Sequence, residues 1–448
     1  MKKILFVVHD FNNYGGIINH TEQLMAGFKD LGHQVELVCV KPSKKEGSKL
    51  TKSLVNYVKG EGSNLPIHQG NGWGVAYEPF LSSAWVDRFI QKANGFDIII
   101  WESIFGFKCQ ETEGETDWVR MIRNVDSRVK QIVIVHDGNL LKYYPWIWKI
   151  KDKISGLACV HPSAWNSAEQ MEIPRMLIVN PQKSSVRSTI PFSRRENQIL
   201  SLQTFKRWKR VDNLVAAVPH MPEVKTIIAG DGIERAYMAS IDKCKPEYYC
   251  TPESDAHAQD WMIGKRIWQN ALDCGMDYLG FISEELRDAI LDKSKFLIDT
   301  SWSKTYGSHF NRVIVDAMRV GVVPIARNLG VSDREDGVTD LLVPGKNYLM
   351  IPWDATPYQF AQYIKKFCSM SEDAYQEIAE RNFRLVEDIF DRKKVAENYL
   401  ALAGGFGAFD ESGVLTDKKV KETIDDLWCD HFGFPDRLIR TSNLEAFF

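Results

Sequence analysis

The sequence predicts an α/β protein with two domains, each built around a parallel β-sheet. Short apolar runs that indicate buried strands recur along the chain, and several of them end in a polar or glycine-bearing loop followed by a helical spacing of apolar residues. The pattern begins at the start of the chain and begins again near residue 198. A length of 448 residues, with 44% hydrophobic and 26% charged residues, is typical of a globular chain with two or three domains.

The first half opens with a strand, loop, helix and strand. Residues 4–9 form an apolar run, 10–16 a polar loop, 18–31 a helical spacing and 34–40 a second strand. Further buried strands are predicted at 96–101 and 131–135, and His136 and Asp137 directly follow the second of these.

The second half shows the same alternation. An apolar run at 226–229 is stopped by Gly230-Asp231-Gly232, as expected of a buried strand that ends at the ligand edge of an open sheet. Residues 311–320 have a helical spacing, with Gly321 as the stop before a strand at 322–326. The amide groups at the start of such a helix suit a diphosphate.

Three domain-level segments are predicted. Residues 1–190 form the first domain, 191–385 the second, and 386–448 a C-terminal helix and tail. The aperiodic stretch 181–196 is the predicted hinge. An amphipathic helix is predicted at 387–402, closed by Gly404-Gly405.

In order, the segments LQTFKRWKR, IIAGDG, YLGFISEEL and DKSKFLIDTSW, followed by VIVDAMRVGVVPIA, resemble the donor-binding half of retaining GT-B glycosyltransferases. The resemblance implies a GT-B fold, with two Rossmann-like domains and an active site in the cleft between them. It also implies an enzyme with a UDP-sugar donor, an acceptor-binding first domain, a donor-binding second domain and a late helix that crosses back to the first domain.

A donor site follows from the same resemblance. Asp316 would accept hydrogen bonds from ribose hydroxyls, although it could also be an ordinary acid near a helix start. Because the chain has no D-x-D motif, Arg207 and Lys209 are expected to stabilise the leaving diphosphate without a metal, unless they form a solvated basic turn. The predicted donor-binding residues are Gly15, Gly16, Arg207, Lys209, Gly230, Ser308, His309, Asn311, Arg312 and Asp316.

One position departs from the family pattern. Retaining relatives carry an acidic residue eight positions before the ribose-binding one, whereas this chain has Ser308 there. The sugar contact is therefore altered, and the donor sugar is predicted to be glucose or a pentose such as arabinose. His309 and Asn311 are both candidates to replace the contact.

Three residues are predicted to be catalytic, namely Glu22, His136 and Asp137. The resemblance places His136 and Asp137 beside the sugar ring and Glu22 near the acceptor hydroxyl, where a carboxylate can assist deprotonation. A structural histidine is the alternative interpretation of His136.

The charge is unevenly distributed, because residues 1–195 hold 25 Lys and Arg against 19 Asp and Glu, and the remainder holds 31 against 40. Basic groups next to aromatic rings suit a phosphate backbone and an unstacked base. A solvated lysine loop with an aromatic core patch explains the same composition. The predicted DNA-binding residues are Lys44, Lys45, Lys49, Tyr143, Tyr144 and Trp146.

A second resemblance points to the acceptor. Gly16-Ile17, Glu22-Gln23, His136-Asp137 and Arg207-Trp208-Lys209 resemble phage DNA α-glucosyltransferases, which modify 5-hydroxymethylcytosine. This implies double-stranded DNA with a modified cytosine as a partner. A glycosyltransferase for a cell-surface glycan or lipid-linked acceptor, and a GT-B relative that transfers no sugar, remain as alternatives.

The composition also bears on membrane attachment, on the state of the cysteines and on the need for a cofactor. No apolar run approaches the roughly 20 residues of a membrane span, and the first residues lead directly into a strand, so a cytoplasmic protein without membrane attachment is predicted. The eight cysteines include no C-x-x-C pair and are expected to be free thiols. No cofactor, metal or obligate protein partner is expected, with the UDP-sugar acting as a substrate.

Overall fold

The computed structural model describes residues 1–10, 16–41, 83–102, 117–136, 145–160, 162–168, 171–188, 190–205, 209–232, 267–301, 312–327, 342, 344–352 and 355–405. The chain divides into two compact units. The first contains Met1–Lys183 and Asp388–Phe448, and the second contains Ser184–Glu387. Each unit holds one six-stranded parallel sheet, which confirms the predicted fold class.

The sheet of the first unit has the strand order β2-β1-β3-β4-β5-β6. The chain runs from β1 to the outer β2 and then crosses to β3 on the other side of β1, so the strand order reverses at β1 and β3. In open parallel sheets, ligands bind beyond the carboxyl ends of the strands at such a point. The strands are β1 (Lys3–Asp10), β2 (Gln34–Lys41), β3 (Ile98–Glu102), β4 (Lys130–Val135), β5 (Gly156–Cys159) and β6 (Arg175–Leu177).

The sheet of the second unit has the order β12-β11-β10-β7-β8-β9, with three strands on each side of the reversal instead of two and four. Here the order reverses between β7 and β10, which are parallel neighbours. The strands are β7 (Glu196–Leu202), β8 (Lys225–Ala229), β9 (Met276–Gly280), β10 (Ser294–Asp299), β11 (Val323–Arg327) and β12 (Leu349–Ile351).

Helices follow most of the strands. Each contributes an apolar side to the core, as in α1, where Leu24, Met25 and Phe28 are buried. The α-helices are α1 (Gly16–Asp30), α2 (Ser83–Ala93), α3 (Asp117–Asn124), α4 (Pro162–Ser167), α5 (Val211–Ala217), α6 (Ile267–Asp273), α7 (Glu284–Lys293), α8 (Arg312–Met318), α9 (Pro357–Cys368), α10 (Glu372–Leu385) and α11 (Arg392–Ala403). Short 3₁₀ helices cover Pro145–Lys153, Phe192–Arg194 and Val218–His220, and a π-helix covers Val386–Phe390.

The helix predicted at 387–402 is interrupted. Asp391 has non-helical backbone angles, because the Gln182 amide donates to the carbonyl of Phe390 at 2.7 Å and the Gln182 carbonyl accepts from the amide of Arg392 at 3.1 Å. The Asp391 carboxylate then caps α11 by accepting from the amide of Lys393 at 2.9 Å. A pairing between distant segments therefore replaces one long α-helix with a short π-helix followed by a capped α-helix.

Helix α11 packs within the first unit against α1, β4 and β5. The approach to α1 is so close that a Cβ on Gly27 would lie 2.2 Å from the carbonyl oxygen of Arg392. The side chain of Leu402 on α11 lies just as close to Gly156 of β5, since a Cβ on Gly156 would lie 2.6 Å from it. None of the helices in the described part of the chain is long and apolar enough to cross a membrane.

Candidate functional site

The carboxyl edge of the first sheet brings together three polar residues from distant parts of the sequence. Glu102 is the last residue of β3, His136 follows β4, and His20 lies in α1, the helix after β1. Because β1, β3 and β4 are parallel neighbours, their carboxyl ends share one edge. The three side chains therefore meet where the strand order reverses.

These side chains form a hydrogen-bonded group, called here the His–Glu–His cluster. His20 Nδ1 lies 2.9 Å from Glu102 Oε2, and His136 Nε2 lies 2.5 Å from Glu102 Oε1. The two imidazole rings are edge to face, with centroids 5.2 Å apart. His20 and Glu102 are buried, whereas the side chain of His136 is 15% exposed, so His136 is the member that reaches the surface.

The two imidazoles determine the charge of the buried carboxylate. Burial alone would raise the pKa of Glu102, but the charges of His20 and His136 and their hydrogen bonds lower it to about 2. Two neighbouring acids behave differently. Burial raises the pKa of the Cys159 thiol to about 12, and burial together with the charges of Glu102 and Cys159 raises the pKa of Tyr399 well above its usual value. At neutral pH, Glu102 is the ionised member of these three acids.

The cluster is also the group of His, Cys, Asp and Glu side chains, among the described residues, that could hold a metal ion, because its ligand atoms lie within 4.8 Å of one another. In the structure, however, the carboxylate bridges the two rings by hydrogen bonds. The expectation of metal-independent chemistry stays a prediction.

The structure describes two of the three predicted catalytic residues, and they lie in different surroundings. His136 belongs to the cluster, while Asp137 lies outside the described residues. Glu22 is half-buried on α1, two residues after His20, and residues so spaced face different sides of a helix. Of the predicted loop glycines, Gly16 begins α1 and Gly15 lies outside the described residues. Sequence reasoning missed His20 and Glu102, although a carboxylate that ends the buried run IIIWE was a usable signal.

A second polar network lies at the carboxyl edge of the second sheet. Gln203, which follows β7, donates to Thr300 Oγ1 at 3.4 Å and accepts from Ser301 Oγ at 3.3 Å. Thr300 Oγ1 in turn donates to the backbone carbonyl of Lys209 at 2.7 Å. The network therefore anchors the backbone of a predicted diphosphate-binding lysine to β7 and β10. Arg207 lies outside the described residues.

The Gly-Asp-Gly segment packs against the chain that leaves β7. Gly230 has φ +119°, and a Cβ there would lie 1.8 Å from the carbonyl oxygen of Gln203. A Cβ on Gly232 would lie 2.3 Å from the carbonyl oxygen of Phe205, whose amide donates to the Asp231 carbonyl at 3.0 Å. These glycines are required because two backbone segments touch.

Asp316 is buried on α8 among three guanidinium groups. Its oxygens lie 3.7 Å from Arg287 Nη1, 3.9 Å from Arg312 Nε and 3.8 Å from Arg319 Nε. These are ion-pair distances and exceed hydrogen-bond lengths. Burial lowers the pKa of Arg287, but Asp316 and neighbouring acids outweigh that effect and raise it. Ser308, His309 and Asn311, predicted to face the sugar, lie outside the described residues.

The predicted DNA-contacting residues are almost entirely outside the described part of the chain. This applies to Lys44, Lys45, Lys49, Tyr143 and Tyr144, while Trp146 is described only in its backbone.

The stretch that contains Tyr143, Tyr144 and Trp146 continues into the described 3₁₀ helix at 145–153, which carries further basic and aromatic residues. Trp148 is 42% exposed there, and Lys151 Nζ lies 5.5 Å from the centroid of its ring. Lys151 also pairs with Glu172 at 2.8 Å.

No protein-family model matches the sequence, and no curated protein matches it. Solved structures do match. HepE (Alr3699) from Anabaena, in complex with UDP and glucose, has a TM-score of 0.59 at 15% identity, covering 90% of this chain and 100% of that one.

Two further matches cover as much of the chain. The pneumococcal O-GlcNAc transferase GtfA, with UDP and GlcNAc, has a TM-score of 0.59 at 11% identity, covering 90% and 99% of the two chains. A variant of S. aureus TarM, with Fondaparinux, alpha-GlcNAc-glycerol and UDP, has 0.58 at 12%, covering 90% and 100%. These likenesses show that the chain has the GT-B fold.

Proposed function

We propose that the protein is a retaining glycosyltransferase that transfers a sugar from a UDP-sugar donor without a metal ion. The observation that carries the proposal is the likeness over 90% of the chain to GT-B structures that contain UDP. It is supported by a polar group at the carboxyl edge of each sheet, where the strand order reverses and ligands of such sheets bind.

The second unit supplies the donor contacts in this proposal. The Lys209 ammonium, together with Arg207, stabilises the negative charge that grows on the leaving diphosphate. The hydrogen bond from Thr300 supports this role, because it fixes the backbone from which Lys209 extends. Asp316 accepts the ribose hydroxyls. Since the guanidinium groups approach it only at ion-pair distance, its oxygens keep lone pairs for those hydroxyls.

The first unit supplies the polar groups that act at the sugar and the acceptor. His136 and Asp137 contact the sugar ring, and Glu22 or Asp137 assists removal of the acceptor proton. No step in this scheme calls for a metal ion. Transfer should therefore continue in EDTA, and activity that is lost on chelation and restored by Mg²⁺ or Mn²⁺ would contradict the scheme.

Calorimetry with UDP tests the donor contacts. Lys209→Ala and Asp316→Ala should each weaken UDP binding by about 1–3 kcal/mol, the cost of losing a charge-assisted contact. The matched controls are Lys225→Ala, at the opposite end of the sheet, and Asp273→Ala, an exposed acid at the end of α6. Neither control should change UDP affinity.

The Asp316 variant discriminates between two roles by the sign of its effect. If Asp316 only neutralises its three arginines, its removal leaves excess positive charge and should preserve or raise affinity for the anionic UDP. If it binds ribose, affinity should fall. Asp316→Asn, which keeps the side-chain shape, separates a binding effect from loss of folding.

The proposed acceptor is the hydroxymethyl group of 5-hydroxymethylcytosine in double-stranded DNA, and the proposed sugar is glucose or a pentose such as arabinose. Support comes from the net charge of +6 in residues 1–195, since 25 basic residues oppose 19 acidic ones, and from the resemblance to phage DNA glucosyltransferases. The exposed Trp148 beside Lys151 adds an aromatic surface suited to a nucleotide. The modified base would be rotated out of the duplex to reach the donor.

Two measurements test this acceptor. The protein is incubated with a panel of UDP-sugars and hydroxymethylcytosine-containing duplex, and the digested nucleosides are analysed by mass spectrometry. Replacement of Lys44, Lys45 and Lys49 by Gln should also reduce the salt dependence of DNA binding by about one unit of slope for each lost phosphate contact. The control replaces the exposed Lys225, Lys293 and Lys346.

A glycan or lipid-linked acceptor is the second candidate. The observation that favours it is what the matched structures are called, because their names include an O-GlcNAc transferase and a complex with alpha-GlcNAc-glycerol. Absence of salt-sensitive DNA binding by the wild-type protein, together with sugar transfer to a glycan acceptor, would replace the DNA proposal with this one.

A further inference from the structure

We propose that Glu102 and His20 are positioning residues for His136, and that they hold its ring with the proton on Nε2 so that Nδ1 is the atom that acts on the sugar or acceptor. This inference rests on the proposed function and deepens it, because it assigns an acting atom to a residue otherwise placed only by resemblance. Neither Glu102 nor His20 belongs to the motifs of the sequence that indicated a catalytic role.

The hydrogen bonds determine where the protons lie. An ionised carboxylate can only accept hydrogen bonds, and each Glu102 oxygen lies within hydrogen-bond distance of one ring nitrogen, so each of these nitrogens must carry the donated proton. His136 therefore carries its proton on Nε2, the atom 2.5 Å from Oε1, and His20 carries one on Nδ1, the atom 2.9 Å from Oε2. Each carboxylate oxygen holds one ring. The Nδ1 atom of His136 is the ring nitrogen that Glu102 does not engage.

Burial makes this arrangement rigid. Glu102 has no exposed surface and His20 has 1%, so neither side chain can exchange its partner for water. An unpaired carboxylate in this place would cost several kcal/mol, which favours donation from both rings together. His20 acts on His136 through Glu102, because it occupies the second oxygen and prevents rotation of the carboxylate, and its ring also packs edge to face against the His136 ring.

Amide substitutions separate the two imidazole nitrogens. Asn places an amide nitrogen near the position of a histidine Nδ1, and Gln places one near Nε2. His20→Asn therefore keeps the donated hydrogen bond, whereas His20→Leu removes it. His136→Gln keeps donation to Glu102 but lacks Nδ1. Glu102→Gln has one acceptor oxygen and one amide, so one of the two rings must change its tautomer.

The experiment measures kcat and KM of the full chain for the UDP-sugar and acceptor on which wild-type protein is active. Glu102→Gln and His20→Leu should lower kcat by about 10²–10⁴-fold, the range for a misplaced acid–base group, with KM for the donor nearly unchanged. His20→Asn should recover most of the loss. His136→Gln should be as inactive as His136→Ala while it unfolds at the wild-type temperature.

A spectroscopic readout is independent of turnover. In ¹⁵N-histidine-labelled protein, the His136 signals, identified by their absence in His136→Gln, should show a protonated Nε2 that bonds to Glu102. In Glu102→Gln the His136 or His20 signals should change to the other tautomer. A His136 ring protonated only on Nδ1 in the wild-type protein would overturn the proposal, whatever the activity.

The experiment distinguishes failure of this inference from failure of the proposed function. If His136→Gln is inactive but Glu102→Gln and His20→Leu keep wild-type kcat, His136 acts without these partners and the inference is wrong, while the proposed function stands. If the wild-type protein transfers no sugar from any UDP-sugar, the proposed function fails. A metal ion bound in equimolar amount by the wild-type protein, and lost in His20→Leu, Glu102→Gln and His136→Gln, would also overturn the inference, because metal ligation by the two rings would then replace their hydrogen bonds to Glu102.

Discussion

At the scale of single residues, Gly230 shows how a backbone contact can require the absence of a side chain. Its φ of +119° and the carbonyl of Gln203, 1.8 Å from the place of a Cβ, exclude alanine for two separate reasons. Gly275 has φ +90°, but no atom of the described residues lies within 4 Å of that place. The pair therefore separates conformational strain from steric overlap.

We expect Gly275→Ala to lower the free energy of unfolding by about 1 kcal/mol, the cost of a left-handed conformation for alanine. Gly230→Ala should cost about 3 kcal/mol or more, because the Gly-Asp-Gly segment must also move away from β7. It should weaken UDP binding as well. Urea denaturation and calorimetry check both effects. Equal stability losses in the two variants would show that the chain relaxes at Gly230 without cost.

Glu102 gives the stability of the first unit a defined pH dependence. Its pKa falls from 4.5 in the unfolded chain to about 2 in the folded protein. The ionised carboxylate therefore contributes stability above pH 4.5, and this contribution is lost as the pH falls towards 2. At about 1.36 kcal/mol for each pKa unit, the full contribution is about 3 kcal/mol.

The difference in unfolding free energy between wild-type protein and Glu102→Gln should consequently shrink by about 2 kcal/mol between pH 5 and pH 3. Other carboxylates with lowered pKa values, such as Asp126 and Glu380, are present in both proteins, so their effects cancel. A difference that stays constant over this range would mean that the carboxylate gains no stabilisation from its imidazole partners.

At the scale of secondary-structure elements, α11 is attached to the first unit by close fits that only small residues permit. Leu402 is fully buried, and a Cβ on Gly156 of β5 would lie 2.6 Å from its side chain. Leu402→Ala should lower the free energy of unfolding by about 2–5 kcal/mol. Glu397→Ala, an exposed change on the same helix, should have an effect within about 0.5 kcal/mol.

The fit between Leu402 and Gly156 can be tested as a pair. Gly156→Ala alone should be destabilising, because the new methyl group overlaps Leu402. In the double variant the overlap is gone, so the combined loss should be at least about 1 kcal/mol smaller than the sum of the single losses. Strict additivity, measured by urea denaturation, would show that β5 and α11 are not in direct competition for this space.

At the scale of the whole molecule, two six-stranded parallel sheets with different strand orders carry different polar groups at their carboxyl edges. The first carries the His–Glu–His cluster, and the second carries the network that fixes Lys209. In the proposed function, the second unit binds the nucleotide of the donor.

UDP at about 100 times its Kd should stabilise the protein by about 2.7 kcal/mol. In hydrogen-exchange measurements, added protection is expected in peptides covering 209–232 and 312–327 of the second unit. Peptides covering β5 and β6, at the far side of the first sheet, serve as the internal control. Protection by UDP that is confined to the first unit would contradict the proposed donor site.

Much of the fold was predictable from the sequence, because local patterns determine it. Buried parallel strands are continuous apolar runs, and the strands predicted at 131–135 and 226–229 lie within one residue of Lys130–Val135 and Lys225–Ala229. Gly321 has φ +73° in the turn between α8 and β11, but α8 ends at Met318, two residues earlier than the predicted end at 320. The interrupted helix at 387–402 was not predictable, since the interruption depends on Gln182, about two hundred residues away.

The sequence by itself determined the two-domain α/β fold and pointed to His136 and Asp316, since strand periodicity and short motifs are local properties of the chain. Only the tertiary structure decided what surrounds these two residues. His20 and Glu102 are separated by 82 positions, and Glu102 and His136 by 34, so nothing local indicates that they meet. The three arginines near Asp316 include Arg287, which lies on a different helix. Strand order places the carboxyl ends of β1, β3 and β4 side by side, and this long-range pairing converts three separate polar residues into one hydrogen-bonded cluster.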